Sequence, residues 1–176
     1  MRFRRDPLEN PEPLIRRVGA YVAYRIGEGP EAEDVTSDVF ERALRYRKSY
    51  DASRGEPITW LIGIARRCID DSLRARLPVV VDPPETADPT DLEDEAVRRL
   101  MLARELRRLD AGDQELLALR YGADLTARQI GELLDMKENA VEVALHRALA
   151  RLRTRLETQG ERTATSSVRR MRDKPA

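Results

Sequence analysis

Residues 77–94, LPVVVDPPETADPTDLED, constrain the chain more than any other stretch, because their composition suits neither a helix nor a central strand. Four prolines there remove backbone donors and fix φ. Six carboxylates with no basic residue favour water over a packed interior, which is linker composition. Whatever folds must do so on either side, as two small units.

Both flanks repeat their apolar residues at helical rather than strand spacing. Asn10-Pro11 places a cap residue before a proline at the first helical position, and Leu14, Ile15, Val18, Val22 and Ile26 follow until Gly27 and Gly29. Pro30 opens a second helix, whose early Glu31, Glu33 and Asp34 suit the positive end of the helix dipole. Val35, Val39, Phe40, Ala43 and Leu44 form its apolar stripe. After a polar loop from Ser49 to Glu56, Pro57 begins a third helix reaching about Arg76. Ile58, Leu61, Ile62, Ala65, Ile69 and Leu73 line it, with Trp60 and Ile64 widening the arc.

Beyond the linker, Leu102, Leu106 and Leu109 mark a helix, and Asp110 can cap the next, which carries Leu116, Leu117 and Tyr121. Thr126 with Gln129 is a capping-box signature that starts a short helix with Ile130, Leu133 and Leu134. A turn at Asp135–Lys137 leads to a long helix with Val141, Leu145, Ala148, Leu152 and Leu156 inward. The expected fold is all-α: two small helical domains, 10–76 and 95–157, joined by a flexible acidic linker, 77–94, and followed by a disordered basic tail, 158–176. Such a linker allows the free, monomeric chain many conformations unless a partner clamps the domains.

Formal charge is zero, from 32 basic and 32 acidic residues, so the whole chain exerts little long-range pull on phosphates. Nucleic-acid binding would need help from a partner. The single Cys68 and single His146 exclude an internal disulfide and a Cys/His zinc cluster. Cys68, among apolar neighbours, reads as a small buried hydrophobe. There is no nucleophile–base pair, phosphate loop or metal cluster, so neither an enzyme nor a cofactor or metal protein is expected. No apolar run is long enough to span a membrane, and the basic N-terminus lacks a following apolar core, which points to the cytoplasm.

A short helix, a tight turn and a longer helix make a helix-turn-helix, which presents the early residues of its second helix to base edges. At about 100° per residue, Asn139, Glu142, Val143, His146, Arg147 and Ala150 project away from the apolar stripe. They are the candidate readers. The pattern alone fits equally well with a two-helix hairpin having a polar outer face.

LDAGDQELLALRYGADLTARQIGELLDMKENAVEVALHRALARLRTRL resembles the DNA-binding fourth region of extracytoplasmic-function sigma factors. It has the L-x-x-x-x-x-x-L-x-L-R-Y helix, the T-x-x-x-I-x-x-L-L core and the V-x-x-x-L-H-R-A end. AEDVTSDVFERALRY is similar to the family's polymerase-docking helix, and YDASRGEPITWLIGIARRCIDDSLRAR to its promoter-opening segment. The resemblance implies that core RNA polymerase is a partner, that the second domain reads a −35 element as duplex, and that the first captures a −10 element as single strand. By this likeness, Asp51, Ser53 and Arg54 of the Ser49–Pro57 loop would form a flipped-base pocket. Arg66, Arg67, Arg74 and Arg76 would hold phosphates, and Trp60 would contact a base or serve as a core aromatic. Glu33, Asp34, Ser37, Asp38 and Glu41 would face the polymerase, although Ser37 stands where the family often has glutamine. The acidic linker would enter a channel that otherwise holds RNA, and an anti-sigma protein is an implied partner.

The recognition helix departs from the family pattern, with Glu142, Val143 and Ala144 where lysine, serine and arginine are common. Two positive charges are gone and one negative charge has arrived, which weakens phosphate contact. Glutamate can accept from cytosine N4, and valine can meet a thymine methyl, so an altered −35 preference is expected. Two alternatives stay open: a helix-turn-helix regulator that never touches polymerase, and a degenerate sigma acting as a protein-interaction scaffold. Residues 30–76 argue against the first.

Overall fold

The computed structural model describes residues 6–75 and 94–172. Arg76, most of the expected linker and the last four residues lie outside the described residues.

The first domain is three helices: α1 (Pro11–Ile26), α2 (Pro30–Tyr46) and α3 (Pro57–Ala75). Each opens on a proline, where a missing N–H costs nothing. Gly27, at φ 93°, and Gly29, at φ 124°, turn the chain between α1 and α2 in conformations that disfavour a Cβ. Val18, Tyr21 and Val22 of α1 meet Val35, Val39 and Ala43 of α2 and Ile58, Leu61, Ile62, Ala65 and Ile69 of α3 in a buried core. Leu44 departs from the expected stripe and is 57% exposed, because the buried run of α2 is Ala32, Val35, Val39, Ala43 and Leu44 lies one step round the helix. Leu73, beyond the buried run that ends at Ile69, is also exposed.

The second domain comprises α4 (Asp94–Leu106), α5 (Ala111–Leu117), α6 (Ala127–Leu134) and α7 (Glu138–Arg172). Leu109 is buried in the turn after α4 rather than on the helix itself. Asp110 caps α5 by accepting from the Asp113 N–H at 2.9 Å. Residues Ala118–Gly122 widen into a π turn closed by the Ala123 N–H on the Ala118 carbonyl at 2.9 Å. The wider turn shifts helical phase, so Tyr121 is half exposed instead of joining Leu116 and Leu117.

Helix α7 passes Leu156 and continues to Arg172, where the sequence predicts a disordered tail. No proline interrupts it before Pro175, and extending an already nucleated helix avoids the cost of starting one.

The two domains are docked, and their apolar residues form one continuous core. The contact runs from α1 to the π turn. Gly122 approaches the α1 backbone so closely that a Cβ there would lie 2.8 Å from Tyr21 Cα. Arg17 donates from Nε to the Ala123 carbonyl at 2.7 Å and from Nη2 to the Asp124 carbonyl at 3.0 Å, covering carbonyls where the chain leaves the π turn.

Candidate nucleic-acid and polymerase interfaces

The helix-turn-helix is set by local chemistry. The Gln129 N–H donates to Thr126 Oγ1 at 3.2 Å, and Gln129 Oε1 accepts from the Thr126 N–H at 2.9 Å, completing the capping box of α6. Asp135 ends the helix in the left-handed conformation, at φ 55° and ψ 48°, which aspartate tolerates better than most residues. The Met136 N–H then closes the turn on the Gly131 carbonyl at 2.8 Å. Gly131 is required by space: a Cβ would sit 2.5 Å from the Met136 carbonyl oxygen.

Val141, Leu145, Ala148 and Leu152 of α7 are buried, and this fixes the opposite face. Asn139, Glu142, Val143, His146, Arg147 and Ala150 are all exposed. They share one strip whose charged groups are Glu142 and Arg147. Buried acids, missed in the sequence, hold the strip's scaffold in place. Asp113 of α5 receives a two-pronged contact from Arg151 of α7. Glu105 of α4 accepts from Arg108 at 2.9 Å and lies 3.8 Å from Arg155. Their signal was a carboxylate at an inward position with arginines in helical phase on α7.

In the first domain, Asp51 Oδ1 accepts from the Ser53 N–H at 3.0 Å and from its hydroxyl at 2.7 Å. The Tyr50 hydroxyl donates to the Gly55 carbonyl at 3.0 Å. The Tyr50 and Trp60 rings lie 5.6 Å apart at 57°. This loop frames a hollow of about 200 Å³ lined by Asp51, Arg54, Thr59 and Trp60, among others, and the buried Thr59 hydroxyl beside it has no hydrogen-bond partner.

A second hollow, of about 530 Å³, lies between α2 and α3 and is walled by Arg42, Arg45, Tyr46, Trp60, Ile64 and Arg67. Trp60 is shared by both hollows and is half-buried, so it is a packing residue with one accessible side. Arg42 is paired with Asp71 at 3.0 Å and Arg45 with Glu41 at 2.7 Å, so a strand of stacked bases and phosphates would compete with those carboxylates for two of the three cations. Arg42, Arg45 and Tyr46 were not picked out in the sequence; their helical spacing just outside the apolar stripe of α2 was the available signal.

The expected arginines do not gather in one place. Arg67 faces the second hollow, while Arg74 is exposed at the end of α3, 3.9 Å from Asp71. Arg66 turns towards the other domain, its Nε 3.1 Å from Glu115. Glu33, Asp34, Ser37, Asp38 and Glu41 are exposed on α2. The Ser37 hydroxyl donates to the Glu33 carbonyl at 2.9 Å, and Glu41 pairs with Arg45 at 2.7 Å. Among the described residues no cluster of metal-binding side chains occurs, and no helix is long and apolar enough to cross a membrane.

Two helical domains in this order, the second built on a helix-turn-helix, define the two-region architecture of sigma-70-type transcription factors. Residues 12–77 match the Sigma-70 region 2 family, and residues 99–152 match Sigma-70, region 4. The chain is 30% identical over 170 residues to the ECF RNA polymerase sigma factor SigD of Mycobacterium tuberculosis, covering 89% of this chain and 78% of SigD. It is 31% identical over 140 residues to BldN of Streptomyces coelicolor, another ECF RNA polymerase sigma factor, covering 75% of this chain and 53% of BldN.

Two solved structures share the fold. The sigma factor RpoE from Bartonella quintana, in complex with the anti-sigma factor NepR, has a TM-score of 0.60 at 17% identity, covering 82% of this chain and 92% of RpoE. CnrH, in complex with the cytosolic domain of CnrY, has a TM-score of 0.59 at 21% identity, covering 84% and 82%. The chain belongs to the extracytoplasmic-function RNA polymerase sigma factors.

Proposed function

We propose that this chain binds core RNA polymerase and directs it to promoters, reading a −35 element as duplex and a −10 element as single strand. The observation that carries this reading is the pairing of both family regions, in order, with an exposed strip from Asn139 to Ala150 above a buried stripe. Residues 95–157 act as the −35 unit, with Asn139, Glu142, Val143, His146 and Arg147 at base edges. Residues 10–76 act as the −10 unit. Asp51, Ser53, Arg54 and Trp60 border the base pocket, Arg67 and Arg74 follow the backbone, and Arg42, Arg45 and Tyr46 extend that track. Arg66 and Arg76 join it in the open complex. Glu33, Asp34, Ser37, Asp38 and Glu41 face the polymerase.

The energetics are local. Unstacking and unpairing a base costs a few kcal/mol. Stacking returns about 1–3 kcal/mol per base, so no nucleotide hydrolysis is needed. The chain works without catalytic groups of its own, in the cytoplasm where the polymerase is. An anti-sigma protein would hold it in reserve, as NepR accompanies RpoE.

A degenerate sigma serving as a scaffold is favoured by one observation, the carboxylate of Glu142 on the reading strip. Transcription in vitro with core polymerase and a promoter library separates the readings. Promoter-specific transcripts that need the chain support the proposal. Binding to core without any transcript supports the scaffold.

A further inference from the structure

Glu115 is a buried carboxylate of α5 that takes three partners from the other domain. The Tyr21 hydroxyl donates to its two oxygens at 3.0 and 3.1 Å. Arg25 Nε lies 2.9 Å from Oε2 without the alignment of a hydrogen bond, and Arg66 Nε lies 3.1 Å from Oε1. Burial, reinforced by the Glu115 charge, pushes the Tyr21 phenol far above its usual range, so it stays a donor. A carboxylate on an isolated second domain would simply face water. Buried, it is stable only because cations of the first domain replace that water, and removing them would leave an uncompensated charge. Its placement therefore serves docking rather than the folding of its own domain.

Docking also crowds the −10 reading surface. Arg66 is one of the α3 arginines assigned to the promoter. Gln129, within the helix-turn-helix, donates to Glu56 at the rim of the −10 loop at 3.2 Å. Arg128 and Glu132 of α6 form the far wall of a cleft of about 950 Å³ above Ser53, Arg54 and Gly55. The first helix of the helix-turn-helix, α6, thus stands over the loop of the −10 unit. Two units locked together at this joint cannot reach two elements that lie apart on one duplex, where a single turn already spans about 34–36 Å.

We infer that the docked form is a self-inhibited state of the chain, latched by Glu115 on Tyr21, Arg25 and Arg66, that must open before the promoter is read. This rests on the sigma-factor reading above. A latch closed in about nine molecules of ten lowers the apparent affinity for an open-state partner about tenfold.

The test uses the full-length chain and two variants that replace no proposed reading residue. Gly122→Val wedges the backbone contact, and Glu115→Gln removes the latch charge. Small-angle scattering reports opening without polymerase, and binding to core polymerase together with transcript yield at limiting chain reports release. A larger radius of gyration, with roughly tenfold tighter core binding and more transcript, supports the latch. Variants that open yet bind and initiate like the parent overturn the inhibition. Variants that scatter like the parent overturn the latch. Parent and variants that open as described but never bind core overturn the sigma-factor reading, an outcome scattering keeps distinct. Circular dichroism checks folding; if Gly122→Val loses helicity, Glu115→Gln carries the same comparison.

Discussion

At the residue scale, the sign of one side chain matters most. Glu142 stands exposed on the reading strip, and its carboxylate repels phosphate. Replacing it with lysine adds a phosphate contact, so Glu142→Lys is expected to steepen the salt dependence of promoter binding by about one unit of log–log slope. It should also change the −35 sequence selected from a randomised library. An unchanged selection would contradict base contact by this residue. Cys68 gives a second check. Burial raises its thiol pKa, and Arg42 offsets this only in part, so the reactive thiolate is scarce. Thiol labelling of the native chain should therefore wait on unfolding; rapid labelling would contradict the buried placement. The exposed readers of α7 were legible in the sequence because a helix has one phase, and Val141, Leu145 and Ala148 fix it. Arg66 was not legible as a latch residue, since its partner Glu115 lies in the other domain and no local pattern links them.

At the element scale, the helix-turn-helix rests on three local devices, each with a measurable consequence. Thr126→Ala removes the cap of α6 and should cost about 1 kcal/mol in a denaturant titration. Gly131→Ala places a methyl against the Met136 carbonyl and should cost more, because the helix and turn backbones must separate. Asp135→Gly should be neutral or mildly stabilising, because glycine enters the left-handed region freely. A loss of stability there would show that the aspartate side chain contributes beyond its backbone conformation. Most helices were readable from proline starts, the capping box and apolar spacing. The π turn was not, since its extra residue changes phase without a sequence marker, and Tyr121 was misplaced for that reason. The length of α7 was missed because polar composition argues against a packed core but not against continuing a nucleated helix.

At the scale of the whole molecule, sequence composition divides the chain in two while the structure joins the halves through one core. Long-range docking leaves no periodic trace, so this joint was invisible from either flank. The joint predicts cooperative unfolding. Trp60, the single tryptophan, reports on the first domain, whereas circular dichroism reports on helices of both. The two transitions should coincide in the parent chain and separate in Gly122→Val. The central claim is that this chain lets polymerase melt promoter DNA, and permanganate footprinting reads that directly. With chain and core polymerase together, thymines of the −10 region should become reactive, while neither protein alone should expose them. Thymines that stay protected with both present, on every promoter of a library, would contradict the account.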